Sequence, residues 1–333
     1  MDLSIIIPVY QVEKYIRPCL ESVFQQGLDE KRFEVIIVND GTKDQSMEVI
    51  ADVIQQHNNI IVINQENQGL SVARNNGIAI AKGQYIIMPD SDDMLIEASL
   101  PTLLDIALKT KVDLIVADFI KMNDDKISEF ETNYPLQREF KIKEKTGHEL
   151  FLEDLDPNQC YVWRTMFRRN FIVDNHITFI PGIYYQDIPF THECYLKAKR
   201  CIRTSWLLNI YRTERQGAAT TLYSSLKAKH FIIAIANTWK LRHINGLSSN
   251  VIYKLEEDVY TSFRMMVYCT LYGIEQHSER NNIMDYLNSS IPDLYFSHSI
   301  KQRFLSFMIR KAPHFYFTLF EWQNKIRKQL AKL

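Results

Sequence analysis

The sequence lacks the marks of several protein classes. None of its ten glycines forms a GxG, so it has no dinucleotide-binding fingerprint. It also has no GxxxxGK[ST] phosphate loop and no HExxH zinc helix. The five cysteines, Cys19, Cys160, Cys194, Cys201 and Cys269, are odd in number and form no CxxC. That pattern fits reduced thiols rather than a disulfide framework or a zinc site. No apolar run approaches the roughly 18 residues that cross a bilayer, and the chain opens directly on a strand, so no signal peptide is expected. Net charge is nearly absent too, at −1 over 333 residues, which argues against whole-protein nucleic-acid binding.

What is present is ordinary globular composition, 46% hydrophobic and 24% charged, at a length that allows about two domains. Short β-branched runs alternate with amphipathic stretches. Strands are expected at 3–10, 33–40, 59–65, 84–90 and 112–122, and helices at 13–26, 44–57, 71–82 and 96–109. This alternation predicts an α/β fold, a mostly parallel sheet flanked by helices. Ligands of such sheets sit beyond the carboxyl ends of the strands, where "PVY", "NDG" and "PDSDD" fall. The pattern then loosens. Helical stretches are expected within 163–179 and 184–199, a strand at 205–213, and helices at 225–244, 249–274 and 299–331.

Asp90, Asp92 and Asp93 pose the sharpest question. At about 4 Å and an effective dielectric near 20, two carboxylates repel by about 4 kcal/mol. Water dilutes that repulsion, and a bound cation reverses it. The plain reading is a solvated acidic turn; the other is a divalent metal site. A haloacid-dehalogenase-like phosphatase motif also uses DxD, but it needs Thr or Val where Met94 stands and belongs after the first strand, not the fourth.

The company of the DxD decides how to read it. "IIIPVYQVEKYI", "VIIVNDGTKDQS", "NQGLSVARNNGIAIAKGQYIIMPDSDD" and "YYQDIPF" occur in the order and spacing of inverting GT-A glycosyltransferases of glycosyltransferase family 2. The chain resembles that family over roughly residues 3–220, most closely over 3–95, and its bacterial polysaccharide-biosynthesis members in particular, which build capsule or O-antigen. The resemblance implies a GT-A domain over 1–225, with a nucleotide-sugar half (1–122) and an acceptor half (123–225), and a C-terminal helical region over 226–333. It implies a UDP-sugar donor, a glycan or lipid-linked glycan acceptor, and Mn²⁺ or Mg²⁺. Asp92 is the expected direct metal ligand, and Asp90 reaches the ribose or a metal-bound water. Pro8, Val9, Tyr10, Asp40, Arg74 and Ser91 complete the expected nucleotide-sugar contacts, Asp40 by meeting the uracil. Arg74 can equally pair with one of the aspartates. Asn67 and Gly69 are expected to shape the loop before the third helix, and Asp93 to cap the helix after the DxD. Asp187 of "QDIPF" takes the place of the catalytic base, with Gln186 replacing the usual Glu. Gln11 stands where many members have Asn, and "RTMF" (164–167) where many have "NKLY". "YRTERQGAATT" (211–221) resembles the closing segment; Arg212 and Arg215 there are either diphosphate or acceptor ligands or plain surface charge.

Two readings from other classes stay open at this level: a phosphatase or nucleotidyltransferase using the same carboxylates, and a catalytically silent nucleotide-sugar binding protein. Residues 299–333 carry eight Lys or Arg and one acid, Glu321. Phe315, Leu319, Trp322, Ile326, Leu330 and Leu333 recur at helical spacing, so this basic tail is expected either to lie on an anionic membrane or to dock on protein. A cytoplasmic location is expected, with peripheral contact on the inner face of the membrane as one option. A homo-oligomer stays open.

Overall fold

The computed structural model describes residues 1–130, 140–213 and 224–318. The chain forms two compact units. The first comprises Met1–Leu155, Gln159–Gly182 and Phe190–Ala218, and the second Asp156–Asn158, Ile183–Pro189 and Ala219–Leu333.

The first unit is built on β1 (Leu3–Val9), α1 (Ile16–Phe24), β2 (Phe33–Asn39), α2 (Ala51–Gln56), β3 (Ile60–Asn64), α3 (Leu70–Ile80) and β4 (Tyr85–Ile87). β1 is buried along its whole length, which is why, Ser4 apart, it reads as an apolar run rather than an alternating one. It pairs in parallel with both β2 and β4, and β2 pairs in parallel with β3. There follow β5 (Met94–Leu95), α4 (Ser99–Thr110), β6 (Leu114–Met122), α5 (Asp124–Phe130), β7 (Ile142–Lys145), α6 (Gly147–Asp154), β8 (Thr165–Arg168), α7 (Arg169–Asp174), α8 (Asp187–Lys197), whose first three residues fall in the second unit, and β9 (Cys201–Arg212). Among the described residues nine strands make one sheet, ordered β3-β2-β1-β4-β8-β6-β9-β5, with β7 on β9. The α1 and α4 helices cover one face through Ile16, Leu20, Val23, Leu100, Leu103 and Leu104. All five cysteines are buried, and none is in a disulfide.

The sheet is mixed because β8 runs antiparallel between β4 and β6. The sequence pattern gave this stretch as partly helical; α7 is there, but "TMFR" before it is a strand. Four residues are too few to show a period. Three helices begin later than expected, among them α4 at Ser99. α1 starts at Ile16 after a turn closed by Tyr15 N–H and Ile16 N–H on Val12 O. Residues 44–47 are not helical, because Asp44 accepts from the Thr42 hydroxyl (2.6 Å), the Ser46 hydroxyl (2.5 Å) and Glu13 N–H (3.1 Å). Such side-chain bonds compete with helix formation.

The second unit is helical: α9 (Ser225–Lys240), α10 (Ser249–Gly273), α11 (His277–Ser290) and α12 (Ile300–Lys311). Its core includes Phe231, Ile235, Trp239, Leu255, Phe263, Met266, Met284 and Phe296. α11 was not expected from the sequence. The helix expected over 299–331 is interrupted after Lys311, with Ala312 at φ −144° and ψ 56°, and helix resumes over 313–318. Pro313 explains the break: it lacks an N–H and pushes the residue before it out of the helical region. Within the apolar stripe of the tail, Phe315 is exposed, and Leu319 to Leu333 lie outside the described residues.

Candidate functional site

Three parallel strands deliver the first polar groups to one edge. Pro8 and Val9 are buried in β1, and Tyr10 emerges exposed beyond its end. Val9 lies in register with Asn39, and Val9 O accepts from Asp40 N–H at 3.0 Å. Gln11 then turns left-handed (φ 52°) and donates its N–H to the Thr42 hydroxyl at 2.8 Å. Asn, the residue expected here, tolerates that conformation better than Gln.

Asp40 is buried and organises the loop before α3. Its Oδ1 accepts from Gln65 Nε2 (2.7 Å) and Gln68 N–H (2.8 Å), and its Oδ2 from Gly69 N–H (2.9 Å). A carboxylate accepts about four hydrogen bonds, so one position remains for a ligand donor. Gly41 is required by shape. Its φ is +65°, and an added Cβ would fall 2.9 Å from Asn67 N. Gly69, at φ 87°, is the N-cap of α3, so it shapes the entry to that helix.

The α3 helix carries the "ARNN" residues, and each has a distinct partner. Arg74 is only 2% exposed and donates to Asp90 Oδ1 at 2.5 Å. Its guanidinium also lies 5.3 Å from the Phe179 ring centroid. Asn75 clamps the Phe179 backbone, accepting its N–H (2.9 Å) and donating to its carbonyl (2.8 Å). Asn76 donates to Gln65 Oε1 at 2.7 Å, returning to the loop that Asp40 holds. A continuous series of bonds therefore runs from Asp40 through α3 to Asp90.

The carboxylate oxygens of Asp90, Asp92 and Asp93 come within 4.8 Å of one another. Asp90 and Asp92 are half-buried, and Ser91 between them is buried. Asp93 does not cap a helix. It is 1% exposed, and the next helix begins only at Ser99, behind Ala98 in a left-handed conformation. Its Oδ1 accepts from Arg212 N–H at 2.8 Å, while its Oδ2 has no partner among the described residues. Burial, and then the charges of Asp90 and Asp92, push its pKa up to about 9. This fits a hard divalent cation: three carboxylates, one with a buried unsatisfied oxygen, whose mutual repulsion such an ion relieves.

Arg212 is the residue whose place in the structure the sequence reading missed. Its side chain is buried rather than plain surface charge. Its Nε donates to Asp92 O at 2.9 Å, it pairs with Asp124, and its guanidinium lies 4.9 Å from the Tyr15 ring centroid. It braces the acidic loop from the end of β9. The signal was the antiparallel pairing of Met94–Leu95 with Asn209–Ile210, which a two-residue strand conceals. Arg215 lies outside the described residues.

Asp187 belongs to the second unit and stands in the first turn of α8, where a negative charge is favoured by the helix dipole. The segment before it is anchored on α9. Tyr184 N–H donates to His230 Nδ1 at 3.2 Å, and the Tyr185 ring stacks on Phe231 with centroids 3.7 Å apart. Tyr185 is left-handed at φ 60°. Gln186 is buried, and its Oε1 has no partner among the described residues.

A strand-edge cluster of carboxylates braced by buried arginines in a mixed sheet fits the GT-A glycosyltransferase fold that the sequence resemblance implies. The profile described as "Glycosyl transferase family 2" matches residues 4–172. The chain is 33% identical over 235 residues to glycosyltransferase EpsJ of Bacillus subtilis, covering 68% of this chain and 66% of EpsJ. It is 32% identical over 244 residues to glycosyltransferase YibD of Escherichia coli, covering 69% of this chain and 68% of YibD. Its fold is similar to S. aureus TarS 1–349, solved in complex with UDP-GlcNAc, at a TM-score of 0.71 and 19% identity over 95% of this chain and 89% of that one. The chain belongs to glycosyltransferase family 2.

Proposed function

We propose that this protein is a metal-dependent inverting glycosyltransferase. It moves a sugar from a UDP-sugar to a hydroxyl of a glycan or lipid-linked glycan in bacterial surface-polysaccharide biosynthesis. The observation that carries this reading is the Asp90–Asp92–Asp93 cluster, tied through Arg74 and α3 to Asp40. The UDP and UDP-GlcNAc complexes of TarS support the choice of nucleotide. Residues 1–225 form the catalytic domain in this reading, 1–122 holding the donor and 123–225 the acceptor, with 226–333 an appended helical region.

Each residue has a defined task. Pro8, Val9, Tyr10 and Asp40 receive the uridine, Asp40 accepting an N–H of the base. Arg74 holds the Asp90 carboxylate, and Arg212 holds the backbone of Asp92, so the loop that carries them is preorganised. Asp92, with Asp90, would hold Mn²⁺ or Mg²⁺. When bound, the ion supplies positive charge against the diphosphate leaving group. Asp187 takes the proton from the acceptor hydroxyl as it attacks the anomeric carbon. In-line attack on an α-linked donor gives a β-linked product.

The test is UDP release in the presence of acceptor, comparing the wild type with Asp187→Asn. The expected result is a fall of about 10²- to 10⁴-fold in rate, with UDP affinity unchanged. An unaltered rate would remove Asp187 from the base role. Release of inorganic phosphate in place of a glycosidic product would overturn the reaction class.

A further inference from the structure

The α12 helix buries Met308 and Ile309, yet its outward face is apolar as well. Its inward face includes two polar residues, both bonded. Gln302 donates to Glu257 Oε1 at 2.7 Å, and Ser306 Oγ accepts from Phe296 N–H at 2.7 Å. Its outward face carries Ile300, Phe304 and Phe307, which are 83%, 52% and 56% exposed. These recur at spacings of four and three, so they form one stripe. Phe315, beyond the break at Pro313, is exposed as well.

Basic residues accompany the stripe. Lys301, Arg303, Arg310 and Lys311 are all exposed, and residues 299–318 contain no acid. Arg310 also donates to Pro292 O at 3.0 Å, and His314 meets Asp285 at 3.0 Å. An isolated exposed leucine or phenylalanine is unremarkable, but a row of them set among cations is not.

We propose that the outward face of α12 docks this protein on an anionic lipid bilayer. Ile300, Phe304 and Phe307 enter the headgroup boundary, and Arg303, Lys301 and Lys311 meet the lipid phosphates. A second copy of the chain fits this face poorly. A two-fold self-contact would set the same cations against each other, and interface cores are depleted in charge. The surface lies on α12, upstream of the stripe that the tail sequence shows. It bears on the lipid-linked acceptor proposed above, yet it is read out independently of sugar transfer.

The experiment is co-sedimentation of the full chain with vesicles of phosphatidylglycerol and of phosphatidylcholine, at low and high salt. It is run on the wild type, on Phe304→Ser/Phe307→Ser and on Arg303→Gln/Lys311→Gln. All four positions are exposed, and a UDP titration on each preparation checks that the donor site is intact. The expected result is salt-sensitive binding to phosphatidylglycerol, reduced roughly tenfold or more in either double variant. Absent binding, equal binding to both lipids, or double variants that bind like the wild type would each overturn the proposal. So would light scattering that shows a dimer which Phe304→Ser/Phe307→Ser dissolves, because the face would then belong to a second copy. A wild type that binds vesicles but no UDP would remove the donor reading and leave this one standing.

Discussion

Single residues set the electrostatics of the acidic loop. Burial and two neighbouring carboxylates push the pKa of Asp93 in the metal-free protein up to about 9. In the unfolded chain its pKa is near 3.9. Below about pH 4 both states hold the proton, so nothing is lost. As pH rises toward 9 the unfolded chain ionises and the folded one does not, so the destabilisation grows. Asp93→Asn should therefore stabilise the protein in EDTA by about a few kcal/mol at pH 8, and hardly at all at pH 4. Thermal melts at the two pH values check this; an equal gap at both would contradict the burial argument. Mn²⁺ should narrow the gap at pH 8, since a bound cation favours the ionised form. The meeting of Asp90 with Asp92, and of Arg74 with Asp90, was legible in the sequence because motif order places them together. Asp93 was not, since an acid before a helix reads as a cap until the helix is seen to start at Ser99.

At the scale of elements, α3 is the part that joins the Asp40 loop to the acidic loop. It approaches β1 so closely that a Cβ on Gly77 would fall 2.3 Å from Ile6 Cγ2, and Ile6 is fully buried. Alanine is the better helix former by about 1 kcal/mol, yet overpacking of this kind costs about 1–3 kcal/mol. Gly77→Ala should lower stability in denaturant titrations and weaken UDP binding as well, because Arg74 lies one turn away on the same helix. A more stable variant with unaltered UDP affinity would show that α3 can shift at no cost. Most of β1 to α4 was legible because long apolar runs alternate with helical spacing. The strand β8 was hidden by its length, and the first turn of the expected second helix was taken by the bonds of Asp44. Local polar chemistry of that sort leaves no periodicity.

At the scale of the molecule, family membership rests on the first unit, where the profile matches residues 4–172. The helical unit was legible as helices but not as a surface. A stripe count locates a face without saying which way it points, and α12 turns phenylalanines outward and Gln302 and Ser306 inward. The same limit applies to Asp187, whose motif is short and whose Gln186 departs from the expected Glu. The donor site is the central claim for the whole molecule, because every proposed role depends on a UDP-sugar held with a divalent ion. Calorimetric titration of UDP, in Mn²⁺ and in EDTA, on the wild type and on Asp92→Ala, tests it most directly. The account predicts binding for the wild type in Mn²⁺, and little or none in EDTA or for Asp92→Ala. UDP binding that is indifferent to both the metal and Asp92, or no binding under any condition, would contradict it.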